Sequence, residues 1–117
     1  ATPVYNRSYP ASLKNAIDWF FTEFQLKPVG FISYGGTFGG IEAVEALRSV
    51  FAEFTTVTLA DPIVFPNFWE SFDHDGRPVD GEAAARRATR LLDQLRWFSD
   101  ALRQGRAHRP YPFGDAE

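Results

Sequence analysis

The chain has 117 residues, 44% of them hydrophobic and 23% charged, with a net charge of −3, which suits one small globular domain and offers no basic block to hold nucleic-acid phosphates. It contains no Cys and only two His, His74 and His108, far apart in sequence, so disulfides, thiolate catalysis and cysteine metal sites are excluded and no metal site is expected. No stretch is long and apolar enough to span a membrane and no signal peptide is visible, so a cytoplasmic protein that meets neither membrane nor nucleic acid is the expectation.

The chain opens on Ala1-Thr2-Pro3-Val4-Tyr5-Asn6 and has no Met, which reads as a cut edge. Ser8-Tyr9-Pro10 then offers a capping residue and a Pro near a first helical position, where its missing N–H costs nothing. Leu13, Ala16, Ile17, Phe20 and Phe24 follow at helical spacing. Residues 28–34 (PVGFISY) form a nearly continuous apolar run, as expected of a strand buried on both faces of a parallel sheet. Residues 34–40 (YGGTFGG) make a glycine-rich turn, and a second helix begins near Gly40. Its apolar stripe is Ile41, Val44, Leu47, Val50, Phe51 and Phe54, and Glu42 and Glu45 complement the dipole at its start.

Residues 55–60 (TTVTLA) are rich in β-branched side chains and predict the next strand, completing a βαβ unit. Residues 61–80 read as irregular, with three prolines, a Phe68-Trp69 pair and a turn signal at Asp75-Gly76. A last helix is predicted over residues 82–103, with Ala84, Ala88, Leu91, Leu92, Leu95, Phe98 and Leu102 on one face; residues 105–117 read as a frayed tail. Two strands cannot bury three apolar helix faces, so residues 1–117 read as part of a larger α/β domain.

Two segments hold the chemistry. In open α/β sheets ligands bind outside the carboxyl ends of strands, and both the N-terminal segment and the glycine loop fall on that edge. The loop lacks the G-x-G-x-x-G spacing, because Thr37 and Phe38 interrupt it, and no Gly-Lys-Ser/Thr follows. By itself it fits a ligand-binding turn and a tight turn needing positive φ equally well. Asp73-His74-Asp75-Gly76 lacks the later acidic positions of a calcium loop and reads as a solvated turn.

Three further runs make the reading specific. Pro3-Val4-Tyr5-Asn6, Ser8-Tyr9-Pro10 and residues 13–19 (LKNAIDW) together resemble the P-E-Y-N…S-x-P…L-K-N-A-I-D-W run of the NADPH-dependent FMN reductase family. Lys27-Pro28-Val29 and residues 33–40 (SYGGTFGG) resemble that family's K-P-V strand and its S-x-G-x-x-G-G loop. The resemblance covers most of the chain and places it as the C-terminal half of such a protein. It implies a flavodoxin-like, doubly wound parallel sheet. FMN would lie against Pro3, Val4, Tyr5 and Asn6 on one side and against Ser33, Tyr34, Gly35, Gly36 and Gly40 on the other, held largely by backbone groups.

It further implies hydride transfer from NAD(P)H to FMN, then two electrons to a quinone, flavin or similar small-molecule acceptor, in a homodimer or higher homo-oligomer. The cofactor carries the chemistry, so no catalytic side chain is named. Val4 stands where the family has Glu, a change a backbone N–H contact survives. The family's phosphate loop precedes the region resembled, and nothing in these residues replaces it. The competing expectation is a catalytically silent fragment, or an α/β interaction module without flavin.

Overall fold

A computed structural model describes residues 1–112. Nine elements follow in chain order: β1 (Thr2–Pro3), α1 (Ala11–Asp18), β2 (Pro28–Val29), β3 (Ile32–Tyr34), α2 (Ile41–Glu53), β4 (Val57–Thr58), β5 (Ile63–Phe65), α3 (Phe68–Ser71) and α4 (Gly81–His108). Every strand pairing is parallel. β1, β3 and β5 lie side by side in that order, and β2 pairs with β4.

The run predicted as one strand over residues 28–34 is divided into β2 and β3, and its neighbour into β4 and β5. The cause is a mismatch in length. Val29 pairs with Thr58 but Ile32 pairs with Ile63, so the second strand takes two more residues to cover the same stretch. Pro62, with no N–H to give to the ladder, sits in this excursion. The ladder resumes at once, because Leu59 N–H donates to Val29 O at 2.9 Å and Ile63 N–H to Phe31 O, also at 2.9 Å.

The excursion frees carbonyls, and Arg48 of α2 collects them. Its guanidinium donates to Leu59 O at 2.7 Å and to Ala60 O at 2.9 Å, and Nε donates to Glu45 at 3.0 Å. The same guanidinium lies 5.3 Å from the centre of the Phe31 ring, a cation–π distance. One side chain therefore bonds the helix to the sheet at its irregular point.

Two apolar cores flank the sheet. Ile17 of α1 joins Phe31, Val44, Leu47, Phe51 and Phe54 on one face. Leu59, Ile63 and Leu91 of α4 form a smaller cluster on the other, with Ala88, Leu95 and Phe98 against it. Five rings in the larger core, Phe21, Phe24, Phe31, Phe51 and Phe54, meet at centroid distances of 5.3–6.0 Å, in tilted or edge-on contacts. Only part of the abundant Phe of the sequence is core: Phe31, Phe51 and Phe54 are buried and Phe24 packs against them, whereas Phe20, Phe21, Phe38 and Phe68 are exposed.

Several sequence expectations shift here. The first helix ends at Asp18, so Phe20 and Phe21 are about half exposed on the turn that follows, while Phe24 reaches the core from outside any helix. Ser8 caps nothing. It closes a turn with Tyr5, and Pro10 takes the N-cap position without a side-chain bond. Along that helix the Lys14–Asp18 ion pair, at 2.7 Å, raises the lysine pKa through its hydrogen bond to the carboxylate.

Residues 61–80 are not wholly irregular, since Ile63–Phe65 is a strand between two prolines, with the short α3 after it. The last helix begins at Gly81 and runs to His108, past Gly105, so residues 105–108 are helical rather than frayed. Arg106 suits the negative end of its dipole and donates to Leu26 O at 2.7 Å. Leu91 is buried on that helix but Leu92, expected on the same face, is exposed. The final part of the expected tail, residues 113–117, lies outside the described residues.

α4 is long for its footing. Its 28 residues span roughly 42 Å at 1.5 Å per residue, and Leu91 is its one buried residue. The radius of gyration, 16.1 Å, accordingly exceeds the roughly 13 Å usual for this length.

Arg48→Ala is expected to destabilise the fold by about 2 kcal/mol, because charged donors to the part-buried Leu59 carbonyl and the exposed Ala60 carbonyl are lost together. Urea denaturation checks this, and Arg48→Lys should recover only part of the loss, since an ammonium cannot reproduce the planar fork.

Candidate functional site

The ladder aligns three strand ends. Pro3 pairs with Tyr34, and Tyr34 pairs with Phe65, so β1, β3 and β5 stop in one row and their loops emerge together. Backbone hydrogen bonds then join the loops to each other. Val4 N–H donates to Tyr34 O at 3.3 Å, and Gly35 N–H to Phe65 O at 3.3 Å. Asn67 N–H donates to Gly36 O at 2.9 Å, and Phe68 N–H to Gly35 O at 3.1 Å.

The N-terminal loop is a tight reversal. Tyr5 N–H donates to Ser8 O at 2.7 Å and Ser8 N–H to Tyr5 O at 3.1 Å, with Asn6 (φ 49°) and Arg7 (φ 69°) both left-handed between them. Two central residues at positive φ are the signature of a type I′ turn, and Asn tolerates that region well. Val4 and Asn6 are thereby brought beside the glycine loop, while Pro3 and Tyr5 line a separate hollow with Pro10 and Leu13. A cleft of about 230 Å³ lies between the two loops, lined by Val4, Asn6 and Arg7 on one side and by Gly36, Phe38, Gly40 and Glu42 among others on the second.

The glycines divide by what they do. Gly39 and Gly40 have φ of 59° and 84°, and Gly40 is the N-cap of α2, so both need the left-handed region. A Cβ on Gly39 would also come within 2.8 Å of the Pro66 backbone nitrogen. Gly35 is needed for space, since a Cβ there would lie 2.5 Å from Val4 Cγ1. Val4 thus packs its side chain on bare backbone.

Gly36 differs from all three. Its φ lies outside the positive range, and the nearest atom to an added Cβ is Trp69 Cη2 at 4.0 Å. Neither conformation nor packing requires a glycine there. The N–H groups of Gly36, Thr37 and Phe38 donate to no acceptor among the described residues, and all three residues line the cleft.

Side chains of the candidate residues sit at different depths. Tyr5 and Asn6 are exposed and Tyr34 is partly so, whereas Ser33 has 0% of its surface accessible. The Ser33 hydroxyl has no hydrogen-bond partner among the described residues, and a Cβ on Gly40 would find Ser33 Cβ only 3.1 Å away. Ser33 therefore lies beneath the loop, and only its neighbours face outward. Sequence reasoning left Gly39, Thr37 and Phe38 out of the site. The signal that marks Gly39 is its place beside Gly40 at a helix start, where successive left-handed residues turn a chain sharply.

Known proteins match this arrangement. A family model for NADPH-dependent FMN reductase covers residues 1–70, which include both loops, three strand ends and α2.

The chain belongs to the NADPH-dependent FMN reductase family.

Within that family, the NAD(P)H-dependent FMN reductase LOT6 of Saccharomyces cerevisiae is 49% identical over 49 residues, covering 42% of this chain and 25% of the relative. An NADPH:quinone oxidoreductase of Arabidopsis thaliana is 33% identical over 105 residues, covering 85% of this chain and 53% of the relative. Among solved structures, FerB, a flavoenzyme NAD(P)H:(acceptor) oxidoreductase from Paracoccus denitrificans, superposes with a TM-score of 0.57 at 28% identity, over 88% of this chain and 58% of FerB. The chain therefore spans about half, or less, of the length of the relatives it matches in sequence. The parallel sheet with helices on both faces is the flavodoxin-like architecture that the sequence implied.

Gly39→Ala is expected to destabilise the fold by about 2 kcal/mol or more, from strain at positive φ added to collision with the β5–α3 junction. Ser33→Ala, which removes a buried hydroxyl that bonds nothing, should leave the denaturation midpoint unchanged or slightly raised.

Proposed function

We propose that the paired loops at the carboxyl edge of the sheet hold the ring of FMN and that the parent protein is an NAD(P)H-dependent flavin oxidoreductase. The observation that carries this reading is the cleft between the Asn6–Arg7 turn and the glycine loop, with the unbonded N–H groups of Gly36, Thr37 and Phe38 at its wall. A flat heterocycle with carbonyl and ring-nitrogen acceptors suits such donors. The residues that would hold it are Pro3, Val4, Tyr5 and Asn6 on one side and Tyr34, Gly35, Gly36 and Gly40 on the other. Ser33 contributes from below, by filling the space under Gly40.

FMN held by these residues would supply two-electron chemistry between a hydride from NAD(P)H and an acceptor such as a quinone or a free flavin. The balance is NAD(P)H plus H⁺ plus acceptor, giving NAD(P)⁺ and the acceptor reduced by two electrons and two protons. The chain's own contribution is position and main-chain hydrogen bonding, and no side chain is assigned as acid or base. Val4 fits this account, because its backbone orders the loop while its side chain packs on Gly35.

Homo-oligomer formation belongs to the same proposal, supported by the exposed Trp19, Leu92 and Trp97. So does a cytoplasmic location. Among the described residues no helix is long and apolar enough to cross a membrane.

Titration of the chain with FMN and, separately, with riboflavin tests the reading. Saturable binding of one flavin per chain is expected. The two affinities should be similar, because the described loops address the ring and not the phosphate. NADPH should then bleach the bound flavin. No binding of either flavin would overturn the assignment in favour of a silent α/β module. A strong preference for FMN would show that other residues of the chain hold the phosphate.

A further inference from the structure

The far end of α4 borders a further hollow, at the opposite edge of the sheet from the glycine loop. Gly30, between β2 and β3, packs against Leu91 and Leu95, whereas the carbonyl of Leu26, just ahead of β2, accepts from Arg106 at 2.7 Å. The helix therefore descends along this strand toward its amino end. Beyond the helix, Pro110, Tyr111 and Pro112 border the same hollow, which has a volume of about 540 Å³. Ligand sites are commonly of this size, mostly apolar, with a few polar groups that set orientation.

Three features of its wall point to an occupant. Gly105 lies inside the helix, where glycine is among the least favourable residues. Its φ is not positive and an added Cβ would meet nothing within 4 Å, so neither backbone nor packing calls for it. What its bare backbone leaves is space in the hollow. Leu26 holds a left-handed φ of 55° although it is bulky and buried, a conformation rare for such a residue. Arg106 grips its carbonyl and fixes it as one side of the hollow.

The third feature is charge. Arg109 makes no ion pair or side-chain hydrogen bond among the described residues. The residues that line the hollow include two guanidiniums and no carboxylate. Two nearby helical carbonyls, which would repel an anion, are already engaged. Gly105 O accepts from Arg109 N–H at 3.0 Å, and Gln104 O lies 2.8 Å from His108 Nδ1.

We propose that this hollow binds a small aromatic anion, its ring over the bare backbone of Gly105 and against Leu102 and Tyr111, and its carboxylate at Arg109. A rigid ring loses little conformational freedom on entering an apolar wall, and a guanidinium matches a planar carboxylate. The site stands apart from the glycine-loop cleft, since no residue borders both, and it does not rest on the flavin reading.

The test is calorimetric titration of the full chain with 2-naphthoate, with 2-naphthamide as its uncharged counterpart and octanoate as a non-aromatic anion. Saturable binding of one naphthoate per chain is expected, with the other two compounds about fivefold weaker or more. Arg109→Gln should weaken naphthoate about fivefold and leave naphthamide unchanged. Arg96→Gln, the same loss of charge elsewhere on α4, should change neither. Gly105→Leu should abolish binding by filling the hollow, while the urea midpoint holds or rises, because leucine is the better helix former. Saturating FMN should leave the naphthoate affinity unaltered.

An absence of naphthoate binding would overturn the site. So would equal affinities for the three compounds, the mark of an unselective apolar surface, and so would binding that survives Gly105→Leu. Displacement of naphthoate by FMN would place it in the glycine-loop cleft and would also overturn the proposal. Failure of FMN to bind, with Arg109-dependent naphthoate binding intact, would remove the flavin reading alone and leave this site standing.

Discussion

The parallel ladder that brings Pro3, Tyr34 and Phe65 into one row is the constraint on which the candidate site depends. A slip of either pairing would move one loop along the sheet and separate the groups that meet at its edge. Period-two alternation would also turn every side chain of that strand to the other face, moving the buried Ser33 and Thr2 out of the places they fill. Register is therefore fixed twice over: by the cores packed on both faces, and by hydrogen bonds that cross from loop to loop beyond the strands themselves.

The same ladder tolerates an irregularity a few residues upstream. Two extra residues enter between β4 and β5, and the cost is contained because Arg48 supplies donors where the sheet has none. The bulged region faces α2, the helix whose N-cap is Gly40. One helix thus starts at the glycine loop and, two turns later, binds the break in the sheet. The site and the irregular part of the sheet are tied to one rigid element.

Much of this could be read from residues alone, for identifiable reasons. The second helix was legible because Ile41, Val44, Leu47 and Phe51 keep a strict 3.6-residue period. The parallel sheet was legible because residues 28–34 are apolar on both faces. The placing of the two loops on one edge followed from the strand–loop–helix order. β5 was hidden by its neighbours, as Pro62 and Pro66 flank a run of only three β-branched or aromatic residues. The end of α1 was hidden by Phe20 and Phe24, which continue the helical spacing although the chain has turned away. Leu92 misled because a helix that rests on a sheet through one buried leucine shows a narrower apolar stripe than its sequence suggests. The role of Arg48 had no local signature, since its partners are created by a length mismatch between two distant segments. The depth of Ser33 was equally invisible, because a serine in a glycine-rich run reads as a surface hydroxyl until its neighbours are placed.

The candidate cleft is set by backbone conformation: a left-handed turn on one side and a glycine loop with positive φ at Gly39 and Gly40 on the other. Such a frame is indifferent to most side-chain changes. Val4 occupies a place where the resembling motif has a carboxylate, and the loop keeps its path because its amide, not its side chain, carries the link to Tyr34. Binding chemistry of this kind is inherited through φ and ψ. Its outer rim is then at liberty to vary without any rebuilding of the seat beneath it.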